Sequence, residues 1–145
     1  MINYNRHIFD VIDSAEKAYW LGFIIADGYI NDNKHMLRIK LGDVDKIHLE
    51  KFINFFDGDI SMLKSERHNI TNNIQWYVST YAKEIWQALK NLEVEQGKSG
   101  HEHIPKISPT FIPDLIRGLW DGDGFIRDDL SGIGLVGSQE CLKFV

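Results

Sequence analysis

Cysteine is nearly missing from these 145 residues. Cys141 stands alone, which excludes an internal disulfide, and no Cys or His partner at ligand spacing surrounds it to make a zinc site. His101-Glu-His103 lacks the spacing of a helical zinc motif and reads as a polar loop. Long apolar runs are missing too. Tyr19 to Ala26 falls far short of the roughly 20 apolar residues that a membrane span needs. The N-terminus, Met1-Ile-Asn-Tyr-Asn-Arg6, has no apolar stretch of the signal-peptide kind, so an intracellular location, cytoplasm or nucleoid, is expected. Positive charge is in deficit: 16 Lys and Arg face 21 Asp and Glu, for a net charge of -5. That balance counts against nucleic-acid binding by the chain as a whole, although it does not say how the charge is arranged over the surface. With 43% hydrophobic residues, the chain can bury one core, or one core and the beginning of another.

Against these absences stands a repeat. Trp20-Leu-Gly-Phe-Ile-Ile-Ala-Asp-Gly28 and Ile116-Arg-Gly-Leu-Trp-Asp-Gly-Asp-Gly124 are versions of one motif, and Gly22 with Gly118, like Asp27 with Asp123, differ by 96 in position. Each copy carries two small residues four apart, Gly22 with Ala26 and Gly118 with Gly122, and such pairs share one helix face. A helical glycine costs about 1 kcal/mol relative to alanine, so something must offset it. Close approach of two backbones does so, because helices without side chains at their crossing can touch directly.

If the two helices pair in parallel, their ends meet at Asp27 and Asp123. Each Asp precedes a glycine expected to close its helix in the left-handed conformation. A carboxylate at a helix C-terminus faces the negative end of the dipole, and two held close also repel. A hard divalent cation such as Mg²⁺ relieves both problems and leaves positions open for water and phosphate, which points to phosphodiester chemistry. Other readings of the acidic runs fail. Asp121-Gly-Asp-Gly124 has Phe125 and Ile126 where a calcium loop needs an acidic or amide residue and a glycine, and Asp57-Gly-Asp59 reads as a turn.

The rest of the chain reads as alternating elements. Asp13 or Ser14 can cap the first motif helix, with Glu16 in its first turn, and Pro113 suits the first position of the second. Met36 to Leu41 alternates, with Leu37, Ile39 and Leu41 toward a core and Met36, Arg38 and Lys40 away from it. Residues 43 to 56 show helical spacing, with Ile47, Phe52, Ile53 and Phe56 apolar and Asp43 as the cap. Residues 59 to 67 and 74 to 80 form a hairpin around His68 to Asn73, and a helix covers about 81 to 91. Gly, Ser and Pro concentrate in the connector from Gly97 to Pro109. Shifted by 96, Leu37 and Ile39 fall on Ile133 and Leu135, and Asn31 on Arg127.

These residues resemble the LAGLIDADG homing endonucleases, whose name spells the motif helix. The resemblance covers both motifs and extends to Glu16-Lys-Ala-Tyr-Trp20, Lys98-Ser99 and Ile104-Pro105. It implies an α+β fold: an αββαββα half over residues 1 to 97, a connector at 98 to 112, and the start of a second, incomplete pseudo-symmetric repeat at 113 to 145, with the motif helices at the centre. By position, Asp27 and Asp123 become the metal ligands and catalytic residues, one for each DNA strand. Gly22, Ala26, Gly118 and Gly122 become the helix interface. Within the motif the earlier acidic position of the family is Ile25 in one copy and Asp121 in the other. The outward side chains of the sheet are expected to meet the major groove: Arg38, Lys40, Lys64, Arg67, Gln75, Tyr77 and Ser79 in the first half and Arg127 in the second, with Lys98 near a phosphate. For any one of them, simple solvation of an exposed sheet face is the competing reading.

The implied activity is a Mg²⁺-dependent, sequence-specific double-stranded DNA endonuclease leaving 3′ overhangs, of a kind encoded in introns, in inteins or as free-standing genes. The competing expectations are a non-cleaving nucleic-acid binder, such as a maturase or transcription regulator, a truncated remnant without activity, and half of a split enzyme. A second polypeptide or self-association would then complete the second repeat.

Overall fold

The computed structural model describes residues 2–97, 103–126, 132–135 and 138–144. Helix α1 spans Ala15–Asp27 and runs without a break into strand β1, Gly28–Asn31. Strand β2 is Met36–Gly42, helix α2 Lys46–Phe55, strand β3 Lys64–Arg67, strand β4 Ile74–Thr80 and helix α3 Lys83–Asn91. Helix α4, Ile112–Asp123, starts the order again with strands β5, Gly124–Ile126, and β6, Ile133–Leu135, and helix α5, Gln139–Phe144. The protein is of mixed α+β class.

Strands β1 to β4 form one antiparallel sheet in the order β1-β2-β4-β3. Alternation sorts its side chains. Ile30, Leu37, Ile39, Val78 and Thr80 are buried on one face, where α1, α2 and α3 pack and bring Leu21, Ile24, Leu49, Phe52, Ile53, Ile85 and Leu89 into a single core. Met36, expected to face away, is also buried, and Ile47 of α2 is 64% exposed while Leu49 takes the core position. Arg38 and Lys40 lie on the polar face as expected.

Ser14 caps α1 by accepting the Lys17 N–H at 3.2 Å, and Asp13 pairs with the Lys17 ammonium at 2.9 Å. Asp43 does not cap α2. It begins a single 3₁₀ turn, and its carboxylate accepts the Trp76 indole N–H at 2.6 Å, a partner on β4 that local spacing cannot reveal. The first arm of the hairpin starts later than expected, at Lys64, because Asp59 holds the Ser61 N–H at 2.8 Å and winds Ile60–Met62 into another 3₁₀ turn.

The glycines that end the motif helices are not left-handed. Gly28 has φ −77°, ψ 148° and Gly124 φ −73°, ψ 152°, so each helix passes directly into extended backbone. Glycine is needed there for clearance, since a Cβ at Gly28 would stand 2.7 Å from the Ile24 carbonyl oxygen of the preceding turn, and one at Gly124 would run into the Trp120 carbonyl.

The second hairpin repeats the register of the first. Gly28 pairs with Ile39 and Ile30 with Leu37, and the same positions shifted by 96 are the pairs Gly124 with Leu135 and Ile126 with Ile133.

Candidate metal and nucleic-acid site

Helices α1 and α4 make the most extensive contact in the molecule, and the glycines set it. A Cβ on Gly22 would collide with the carbonyl of Leu115 and lie 3.0 Å from the Leu119 nitrogen; a Cβ on Gly118 would collide with the carbonyl of Tyr19 and lie 2.8 Å from the Phe23 nitrogen. Leu115 and Leu119 are Tyr19 and Phe23 shifted by 96, so the contact is isologous: each helix offers its partner the same patch. One turn further on, equivalent residues face each other, the Cβ position of Gly122 being 2.5 Å from the Ala26 methyl. A pseudo-twofold axis therefore passes between Ala26 and Gly122, and the helices run in parallel with both C-termini at the same end.

Asp27 and Asp123 are the residues next along. Asp27 is exposed and its Cβ lies 3.6 Å from the Cβ position of Gly122, while Asp123 is half-buried as the last residue of α4. The Asp27 Cβ thus lies beside the common axis, and Asp123 ends α4 at the position equivalent to it, each at the negative end of its helix macrodipole. Among the described residues no set of three His, Cys, Asp or Glu side chains closes around a point. The donors present do not make an all-protein cage. Mg²⁺ is commonly held by one or two carboxylates, with water and substrate phosphate completing its shell.

Asp27 also lines a cavity of about 350 Å³ shared with Asp45, His48, Asp121 and Gly122. The Tyr19 hydroxyl donates to the Asp121 carboxylate at 2.6 Å and lies 3.0 Å from His48 Nε2. A hydroxyl has one proton, and a carboxylate can only accept it, so His48 must donate from Nε2 and its Nδ1 is the basic nitrogen when the ring is neutral. Burial lowers the His48 pKa below the ordinary histidine value, against the opposing pull of Asp121. Burial, together with the Asp121 carboxylate, raises that of Tyr19. Arg117 covers the Tyr19 ring at 4.9 Å. Sequence reading passed over this Asp121–Tyr19–His48 chain, whose members lie 29 and 102 residues apart.

On the polar face of the sheet six expected contact residues come together. Arg38 is opposite Ser79, and Lys40 is opposite Tyr77, which in turn faces Lys64. Gln75 lies one pair further along β4, opposite Gly42, and Tyr29 of β1, missed by the sequence reading, faces Arg38 and is 50% exposed. Arg67 does not join them. It is three residues from Lys64 on one strand, so it takes the other side, opposite Ile74, and its guanidinium donates to the Asn72 carbonyl at 3.1 Å. Lys40 is paired with Glu66, whose carboxyl it holds below the usual range. Lys98 and Arg127 lie outside the described residues.

No family model matches the chain. It is similar, at 24% identity over 131 residues, to part of the glutamine–fructose-6-phosphate aminotransferase (isomerizing) of Methanocaldococcus jannaschii. The similarity takes in 83% of this chain and 11% of that protein, so the chain spans about a ninth of the relative's length. No described helix is long and apolar enough to cross a membrane.

Proposed function

We propose that the protein is a sequence-specific double-stranded DNA endonuclease of homing type with the LAGLIDADG architecture. The observation that carries the reading is the isologous packing of α1 and α4, in which each helix ends on an aspartate one residue beyond the crossing pair Ala26 and Gly122. A DNA duplex has two strands of opposite polarity related by local twofold axes, and a protein dyad matches it by offering each strand the same group. Asp27 serves one strand and Asp123 the other. Asp27 and Asp123 would hold Mg²⁺, which would supply an activated water and charge neutralisation at the leaving oxygen. The αββαββα order of residues 15 to 91 and its restart at α4 are the arrangement the resemblance implies. Cations and hydrogen-bonding groups on the polar face offset, locally, the acidity of the whole chain. The aminotransferase match supports no transfer of that enzyme's chemistry: a footprint of 11% is one that a self-contained segment of a longer chain leaves.

The test is cleavage selection on a randomised duplex library with and without Mg²⁺, followed by single substitutions. Asp27→Asn and Asp123→Asn are each expected to abolish double-strand cutting while duplex affinity measured without Mg²⁺ stays within about threefold, since bare carboxylates add no attraction to phosphate. Unchanged cutting by either variant overturns the proposal.

A further inference from the structure

Strand β3 is shorter than its neighbour. Its pairing ends at Lys64 against Tyr77, while β4 continues to Thr80 with only β2 beside it. The N-terminal segment lies against this region, pinned by the Asn5 N–H on the Phe56 carbonyl at 2.7 Å and by the Tyr4 ring edge-on to Phe56. The notch is a cavity of about 450 Å³ on the polar face. Three cations, Arg6, Arg38 and Lys64, and three tyrosines, Tyr4, Tyr77 and Tyr81, line it, and among the described residues no carboxylate does. In a chain of net charge -5 this is a local inversion of sign.

The cations are partly preorganised. Arg38 is stacked 4.6 Å over Tyr77 and its Nε–H donates to Ser79 at 2.8 Å, which fixes the plane and leaves its terminal N–H groups for an anion. Arg6 lies 5.5 Å over Tyr4 and stands 3.8 Å from Glu84 Oε2, too far for a hydrogen bond to that buried oxygen. Lys64 has no ion pair among the described residues. Two of the rings are thus already covered by guanidinium groups. Tyr81, 58% exposed and without a ring or cation partner among the described residues, is the open one.

A phosphate needs cations, and a base needs a flat ring whose face is free. We infer that this cavity is a nucleotide subsite: it takes one unpaired, 5′-phosphorylated nucleotide, with the phosphate on Arg6, Arg38 and Lys64 and the base stacked on Tyr81. A base within an intact duplex cannot enter, because both its faces are already stacked. The subsite stands on the cavity alone and does not require the chain to cut DNA.

The experiment is titration of the ¹⁵N-labelled full chain with thymidine 5′-monophosphate, thymidine, inorganic phosphate and a short oligothymidylate. The monophosphate is expected to shift amides at residues 4–6 and 77–81 and to bind about tenfold or more tightly than thymidine or phosphate alone, the increment one stacked base provides. Arg6→Ala and Tyr81→Ala should each weaken it about fivefold or more with the far-ultraviolet circular dichroism unchanged. Tighter binding of the oligothymidylate assigns the subsite to a nucleic-acid strand, and equal binding assigns it to free nucleotides. Shifts elsewhere, or phosphate binding as tightly as the monophosphate, overturn the inference. Nucleotide binding without Mg²⁺-dependent cutting removes the endonuclease reading alone, and cutting without nucleotide binding removes only the subsite.

Discussion

The two motif helices share an interface and differ in what lies behind it. On α1 every residue from Ala18 to Ile25 is buried, because the sheet and α2 cover its outer side; on α4 only Leu115, Gly118 and Leu119 are. Leu21 and Ile25 of α1 correspond, shifted by 96, to Arg117, with a side chain 60% exposed, and to Asp121, also exposed. Positions at the crossing are therefore held to small residues in both copies, while the outer positions follow whatever packs there. The difference separates two demands that a single motif would blur: glycine answers to the partner helix, and the apolar residues answer to the sheet.

The largest expected effect comes from attacking what is shared. Gly22→Ala and Gly118→Ala each drive a methyl into backbone that cannot yield, and should cost about 3 kcal/mol or more in urea unfolding, at the upper end of overpacking penalties. The sign is diagnostic, since alanine at a helical glycine free of such contact stabilises by about 1 kcal/mol. Gly122→Ala, whose methyl would collide with the Ala26 methyl but stand at ordinary contact distance from the Phe23 carbonyl and the Asp27 Cβ, should cost less. Next in size is an attempt to make α4 resemble α1. Asp121→Ile matches Ile25 but removes the acceptor of the Tyr19 hydroxyl, and should destabilise by about 1 kcal/mol, measured against Asp121→Asn, which keeps an acceptor.

The pH dependence gives a smaller effect. The His48 pKa is lowered in the folded state, so between that value and the ordinary one near 6.5 the unfolded chain binds a proton that the folded chain does not. The contribution is fully present above pH 6.5 and is lost as pH falls through the folded value. His48→Gln should flatten the acid side of a plot of stability against pH in this window. The smallest effect is expected on the polar face. Glu66→Gln frees Lys40 and, on the endonuclease reading, should tighten duplex binding less than about fivefold, as befits an exposed pair.

Much of this was legible because it depends on periodicity. The motif repeat located the helix pair, and the same shift of 96 carries the register of one hairpin onto the other. Alternation placed Arg38, Lys40, Tyr77 and Ser79 on one face. Two of the errors come from partners distant along the chain. Asp43 was drawn off its helix by Trp76 on another strand, and the chain from Asp121 through Tyr19 to His48 forms only once α4 docks on α1. Arg67 was lost by strand parity, which three residues' separation reverses. The left-handed glycines were a reasonable expectation for a helix followed by a loop, but these helices are followed by strands, and steric clearance took the place of positive φ.

A single missing methyl has a further consequence. Across the dyad Ala26 faces Gly122, and the Cβ position of Gly122 is already 2.5 Å from the Ala26 methyl. Were α1 of one molecule to dock on α1 of another in the same manner, two methyls would compete for space that holds one. The mismatch between the repeats acts as a lock: it disfavours α1 against a second α1 and leaves α4 as the fitting partner.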